Sequence, residues 1–348
     1  MTSMKAVHIN AHGGPEVVQY SDVLRPEPGP NDVLVAVRAA ALNRLDLWVR
    51  EGWPALKLHF PHILGADGAG VVHSVGSNVT TLQPGDRVVI NGTMSSGVSL
   101  ASLTGWDNRD PQFSILGEHV DGTYADFIAI PARNCLVIPP GVDYATAAAA
   151  SLVYLTAWHS LVTRGQLRLG ERVLIVGAGG GVNVASIQIA KLLGAEVYVV
   201  GSNAQKLERA KALGADVLID RSQEDWGKAV FRATGREGVD VVVDNVGAPT
   251  FAASLRSLRM GGRLLSVGNT GGPKFEIDNR FIFYKHLSIL GSTMGTIADF
   301  HTVMGLVFTG KLCPPIDRVY PVADAPAALA QMESGDFFGK IVLDVSAD

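Results

Sequence analysis

Five consecutive residues, Gly177-Ala178-Gly179-Gly180-Gly181, stand between an apolar run at 173–176 (VLIV) and a stretch whose apolar positions 182, 185, 189, 192 and 193 recur at helical spacing up to Gly194. A buried strand, a glycine turn and a helix together suit a dinucleotide pyrophosphate. The turn lets the phosphates approach backbone without Cβ obstruction, and the N–H groups of the helix N-terminus face the anion. Gly177, Gly179, Gly180, Gly181 and Val182 are therefore candidate cofactor contacts. Val182 occupies the place of the third glycine in G-x-G-x-x-G, and a glycine turn alone also occurs in α/β domains that bind nothing. A second strand at 196–200 (EVYVV) completes a βαβ unit, which favours the dinucleotide reading.

The end of that second strand bears on which dinucleotide is bound. NAD sites place Asp or Glu there to accept from the ribose 2′-OH. Here the chain reads Gly201-Ser202-Asn203, with Lys206 five residues after Gly201. No carboxylate opposes a 2′-phosphate; Ser202 and Asn203 can donate to it, and Lys206 can offset its charge. Ser202-Asn203 also reads as a helix cap with Lys206 as a solvated helix residue, and the two roles are compatible. NADPH is the expected cofactor, ahead of NADH.

These residues need a scaffold. The 348 residues, 47% hydrophobic and 18% charged with 39 glycines, are enough for two domains with large cores and many tight turns. A net charge of −4 supplies no basic field, so nucleic acid and anionic membrane are not expected partners. Two cysteines, Cys135 and Cys313, are too few for a disulfide framework and suit a reducing cytoplasm. The start MTSMKAVHIN lacks a signal-peptide pattern, and no run reads as long enough to span a bilayer. Up to about residue 150 the pattern is short strands and turns, at 4–10, 32–40, 65–76, 86–89 and 124–130, with a helix at 42–50 and an Ala-rich helix at 144–150. Residues 91–113 read as a long polar loop or lobe. From about 151 the period becomes 3.6, with strands at 173–176, 196–200, 216–220, 239–244, 263–267 and 287–291 separated by helices. A doubly wound parallel sheet is the natural assembly. A last helix at 325–333 precedes a strand at 339–345, which is expected to return to the β-rich domain.

Jointly, LNRLDLWVREG (42–52), LGADGAGVVHSVG (64–76), PGDRV (84–88), LTAW (155–158), the glycine βαβ unit and GKIVL (339–343) resemble the medium-chain dehydrogenase/reductase superfamily over essentially the whole chain, including its zinc-type alcohol dehydrogenases and its zinc-free quinone oxidoreductases. The resemblance implies an α/β Rossmann domain, 152–294, inserted into a GroES-like β-rich catalytic domain made of 1–151 and 295–348. The places of the catalytic zinc ligands fall on Asn43, Ala66 (in an Ala66-Asp67 pair) and Leu152, and those of the proton relay on Leu45 and Trp48. The four structural-zinc cysteines fall on Ser96, Ser99, Ser102 and Asp110. Zinc wants Cys or His ligands, so no zinc is expected at either place. By the same resemblance Arg44 and Lys340 reach the cofactor phosphates, Thr156 lies beside the nicotinamide, and Asn245, Gly268 and Asn269 hold the carboxamide side. A homodimer through the Rossmann sheet edge near 287–290 is likewise implied.

The expected function is a zinc-independent, NADPH-dependent oxidoreductase that passes hydride to a small-molecule quinone or α,β-unsaturated carbonyl. Asn43 is the first candidate to position the substrate oxygen through its amide, with Tyr154 a second donor or proton source and Asp46 a retained carboxylate. Each of these also reads as a packing or backbone-bonding residue. Two alternatives stand beside this reading: an alcohol dehydrogenase of the zinc type with an unusual ligand set, and a non-catalytic NADPH-binding protein.

Overall fold

A computed structural model describes residues 2–346 and divides the chain into two compact units, Met1–Leu152 with Thr296–Asp348, and Val153–Gly295. In the second unit six strands form one parallel sheet. Their order is Val217–Asp220, Glu196–Gly201, Arg172–Val176, Val239–Asp244, Leu258–Ser266 and Ser288–Gly291. The central strands are near-continuous Val, Ile and Leu because helices cover both faces of such a sheet. Val173, Leu174, Ile175, Val241, Val242 and Val243 are fully buried, each contributing roughly 1.5–3 kcal/mol of transfer free energy. The order reverses after Arg172–Val176, where chain runs to neighbours on either side, and ligands of open α/β sheets bind outside the carboxyl ends at that point.

The first unit is built on antiparallel strands. Asp32–Ala41 pairs with Asp67–Val75, with Phe127–Pro131 and with the late strand Lys340–Asp344, whose Val342 lies opposite Ala41. Lys340–Asp344 also pairs in parallel with Ile316–Pro321, a strand that the sequence pattern does not announce. A smaller sheet joins Ser3–Ile9 to Val18–Leu24 and His62–Ile63.

Two expectations need correction. The polar stretch 91–113 is not one structureless loop: it holds the short strand Thr93–Met94, the helical turn Leu100–Leu103 and a 3-10 turn Asp107–Arg109. The Ala-rich helix does not stop near 150. It runs Tyr144–Trp158 and continues through a π-helical segment His159–Arg164, giving a 21-residue apolar helix long enough to cross a membrane. Of its apolar window, 72% is buried inside the protein, as a core helix would be.

Candidate active site

The glycine turn leaves Arg172–Val176 at Gly177, whose φ of +112° is open to glycine and strained for other residues. The helix Gly181–Leu192 begins one residue earlier than its apolar spacing suggests, capped by Gly180. A Cβ on Gly180 would sit 2.7 Å from Asn183 Oδ1, so the turn is glycine by contact as well as by φ. Asn183, which the motif does not single out, fixes the turn from within. Its Nδ2 donates to Val176 O at 2.9 Å, and its Oδ1 accepts from Asn245 Nδ2 at 3.1 Å. Asn245 thus braces the turn with part of its amide. The structure brings Asn245 together with Gly268 and Asn269. Thr270 N donates to Asn245 O at 3.2 Å, Gly271 N donates to Val246 O at 2.7 Å, and a Cβ on Gly268 would lie 3.1 Å from Asn245 O.

At the end of the second strand Gly201 is buried, and a Cβ there would meet Ala178 Cβ and Leu207 Cδ2 at 3.0 Å each. Ser202 and Asn203 are exposed and Lys206 is half-buried. Asn203 is the N-cap of Ala204–Ala212, its Oδ1 accepting from Lys206 N at 3.0 Å. That bond commits the oxygen of Asn203 and leaves its Nδ2 as the part able to donate. In the same unit Thr156 is buried and its Oγ1 donates to Met294 Sδ at 3.9 Å. Tyr154 is fully buried, and its hydroxyl accepts from Gln188 Nε2 at 2.7 Å, so as a proton source it is held in a side-chain pair.

The first unit carries a buried polar cluster around Asp67. Lys340 Nζ donates to Asp67 Oδ2 at 2.9 Å, to Asn43 Oδ1 at 2.7 Å and to Leu42 O at 2.7 Å. Asn43 Nδ2 donates to Asp67 Oδ2 at 2.8 Å and to Ala41 O at 3.3 Å, and Leu152 N donates to Asp67 Oδ1 at 2.6 Å. Two expectations change here. All three hydrogens of the Lys340 ammonium are used inside the cluster, so Lys340 is not a free cation for cofactor phosphates. Both hydrogens of the Asn43 amide are used as well, so Asn43 is not the donor for a substrate oxygen. Asp46, at the third position of Arg44–Glu51, accepts from Asn43 N at 2.7 Å and from the Tyr124 hydroxyl at 2.6 Å. Burial pushes its pKa up to about 6, against the opposing pull of those two bonds. Arg44 opens that helix, half-buried.

The three positions that the resemblance matches to zinc ligands, Asn43, Ala66 and Leu152, carry an amide, a methyl and an isobutyl group, beside a carboxylate paired with an ammonium. That donor set does not fit a catalytic zinc. Among the described residues no group of three or more His, Cys, Asp or Glu is placed to hold a metal ion. In the lobe, Ser96, Ser99 and Ser102 converge on one oxygen. Their hydroxyls donate to Asp110 Oδ2 at 2.6, 2.7 and 2.5 Å, and with the backbone N–H of Gln112 they hold the carboxyl far below its ordinary pKa. His119 is partly exposed, and its Nδ1 accepts from Ile115 N at 3.2 Å. Two buried donors that the motifs do not single out, Asn91 Nδ2 and Thr93 Oγ1, have no partner among the described residues.

Known proteins resemble the chain throughout. Residues 29–140 match the family described as alcohol dehydrogenase GroES-like domain, and 181–309 the one described as zinc-binding dehydrogenase. A quinone oxidoreductase of Pseudomonas aeruginosa is 32% identical over 349 residues, covering 97% of this chain and 99% of that protein. A crotonyl-CoA reductase of Streptomyces avermitilis is 30% identical, covering 93% of this chain and 81% of that protein. The phthioceranic/hydroxyphthioceranic acid synthases of Mycobacterium tuberculosis and Mycobacterium bovis are 30% identical over 97% of this chain, which spans only 15% of their length. Among solved structures, an NAD-dependent alcohol dehydrogenase superposes with a TM-score of 0.95 at 44% identity, covering 99% of this chain and 100% of that one.

Proposed function

This chain belongs to the medium-chain dehydrogenase/reductase superfamily, and from that premise we propose that it reduces a quinone or an α,β-unsaturated carbonyl with NADPH and without zinc. The family makes it an NAD(P)-dependent oxidoreductase. The narrower reading rests on one observation above all: the Asn43, Ala66 and Leu152 places, with Asp67 already neutralised by Lys340. Such a site has no Lewis acid to polarise a plain alcohol or to hold its alkoxide at neutral pH. A substrate already electron-poor needs less help, because its carbon accepts hydride while charge spreads onto a conjugated oxygen. The names of the P. aeruginosa and S. avermitilis relatives support an acceptor of that kind.

NADPH, when bound, supplies the hydride. The chain's own part is to hold it. Gly177 to Gly181 would offer backbone to the pyrophosphate, and the loops around Asn245 and Gly268 would hold the carboxamide side. Ser202, Asn203 Nδ2 and Lys206 would hold the 2′-phosphate. Lys206→Ala is expected to narrow the preference for NADPH over NADH about tenfold, since a charge-assisted contact is worth roughly 1.5–3 kcal/mol. Equal affinities in the parent protein would contradict the NADPH assignment.

A second reading, oxidation of an alcohol with NAD, is favoured by the 44%-identical solved structure and its name. Initial rates separate the two. Purified protein should turn over quinones or enones with NADPH, keep that rate in chelator, and contain no stoichiometric zinc. Faster turnover of simple alcohols with NAD or NADP than of every quinone and enone tested, or activity lost on chelation with one zinc per chain, would overturn the proposal.

A further inference from the structure

We propose that Arg221 is the second cation of the 2′-phosphate site, a specificity residue for a 2′-phosphorylated adenosine group; this rests on the NADPH reading above. The strands Glu196–Gly201 and Val217–Asp220 run in parallel with Gly201 opposite Asp220, and Arg221 N donates to Gly201 O at 2.8 Å. Arg221 therefore leaves the sheet at the same carboxyl end as Ser202, one strand spacing of about 4.8 Å away. Carboxyl ends of the strands are where a doubly wound sheet receives its dinucleotide, and the residues after the second strand meet the adenosine ribose.

Three further observations select this arginine. Gly201 has no side chain, and one placed there would crowd Ala178 and Leu207 at 3.0 Å, so in this chain the strand-end position itself does not read the ribose and its neighbours must. Asp220, the nearest carboxylate on the adjoining strand, is folded onto its own turn. Its Oδ1 accepts from Ser222 N at 2.8 Å and from Ser222 Oγ at 2.6 Å. Five other arginines of this unit are committed to carboxylates, Arg172 to Glu237, Arg232 to Glu224, Arg259 to Asp240, Arg263 to Glu171 and Arg280 to Asp278, and none of the unit's remaining arginines besides Arg221 directly follows the strand that adjoins Glu196–Gly201 at its carboxyl end. Arg221 is exposed and has no side-chain hydrogen bond or ion pair among the described residues. A guanidinium offers a planar fork to a phosphate, where Lys206 offers a point charge. The two differ in what they add: the lysine neutralises, the arginine orients.

Binding measured by calorimetry tests this without turnover, using NADPH, NADH, adenosine 2′,5′-bisphosphate and 5′-AMP. The proteins compared are the parent, Arg221→Ala, Arg221→Lys and Lys206→Ala. Arg221→Ala should weaken NADPH and the bisphosphate about 10- to 100-fold and leave NADH and 5′-AMP within about twofold. Arg221→Lys should recover only part of that loss. If the parent prefers NADPH and the bisphosphate but Arg221→Ala binds all four ligands as the parent does, Arg221 is an ordinary solvated side chain and the proposal fails while the NADPH reading stands. If the parent itself binds NADPH no better than NADH and the bisphosphate no better than 5′-AMP, both fall together. A loss equal for all four ligands would mark a structural role and also overturn it.

Discussion

Asp46 and Asp67 lie in one cluster with different partners. Asp67 shares an oxygen with an ammonium, whereas Asp46 has only the Tyr124 hydroxyl and one backbone N–H against complete burial. Its carboxyl therefore titrates near 6 rather than near 4. A carboxyl with a raised folded-state pKa contributes stability below its unfolded pKa, and that contribution is lost as pH rises through the folded value. Between about pH 4 and pH 6 the first unit should lose up to about 3 kcal/mol from this residue, at 1.36 kcal/mol per pKa unit. Urea midpoints across that window should fall in the parent and fall less in Asp46→Asn; parallel curves would show that Asp46 is not the titrating group. Lys340→Met tests the buried ion pair of Asp67. It leaves Asp67 buried without its cation, and breaking such a pair from one side costs roughly 3–5 kcal/mol, so a urea midpoint close to the parent's would contradict the buried pairing. At this scale the sequence was half legible. Asn43, Asp46 and Lys340 could be picked out as residues of interest, but the commitments of Asn43 are made to residues 24 and 297 positions away, and no local pattern reports them.

Elements show the same division between what spacing tells and what it cannot. Spacing of 3.6 and glycine turns made the strand, turn and helix at 172–192 readable to within a residue or two, because that unit is locally determined. The lobe is not. Its four positions follow from the resemblance, yet nothing in a polar run of serines says that three hydroxyls will meet on one oxygen of Asp110. That knot closes the segment 96–110 using hydroxyls and a carboxylate where thiolates and a metal would otherwise serve. Asp110→Asn keeps the size but removes the charged acceptor that the three hydroxyls share. Amide exchange within 96–110 should then rise well above the parent while the parallel sheet of the other unit is unchanged, and chelator should alter exchange in neither protein. Protection unchanged in Asp110→Asn would show that the knot does not fasten the lobe.

For the whole molecule, the parallel sheet ends in an open edge. Among the described residues the strand Ser288–Gly291 pairs with Leu258–Ser266 on one side only, and it is mostly exposed along its length. Ile289 on that edge and Met260, Phe283 and Tyr284 close by in the chain's folding leave large apolar groups in solvent. Gly261 N donates to Lys285 O at 2.8 Å, which ties the two apolar segments together. A strand edge bearing apolar side chains and no lysine or proline is a template for pairing with another chain. The sheet's six strands and their parallel assembly were legible in the sequence because helices separate the strands, but their order and the edge's exposure are tertiary properties that periodicity does not carry. A second copy of the chain, pairing edge to edge through 288–291, is the expected occupant, since a two-fold contact matches this edge with itself and closes. Sedimentation equilibrium of the parent should give twice the chain mass over a wide dilution range. Ile289→Lys places a charge in the shared edge without touching the buried face of the sheet, so it should shift the protein toward monomer with little change in its unfolding midpoint. A parent mass equal to one chain at every concentration, or a dimer that Ile289→Lys leaves intact, would rule this edge out as the interface.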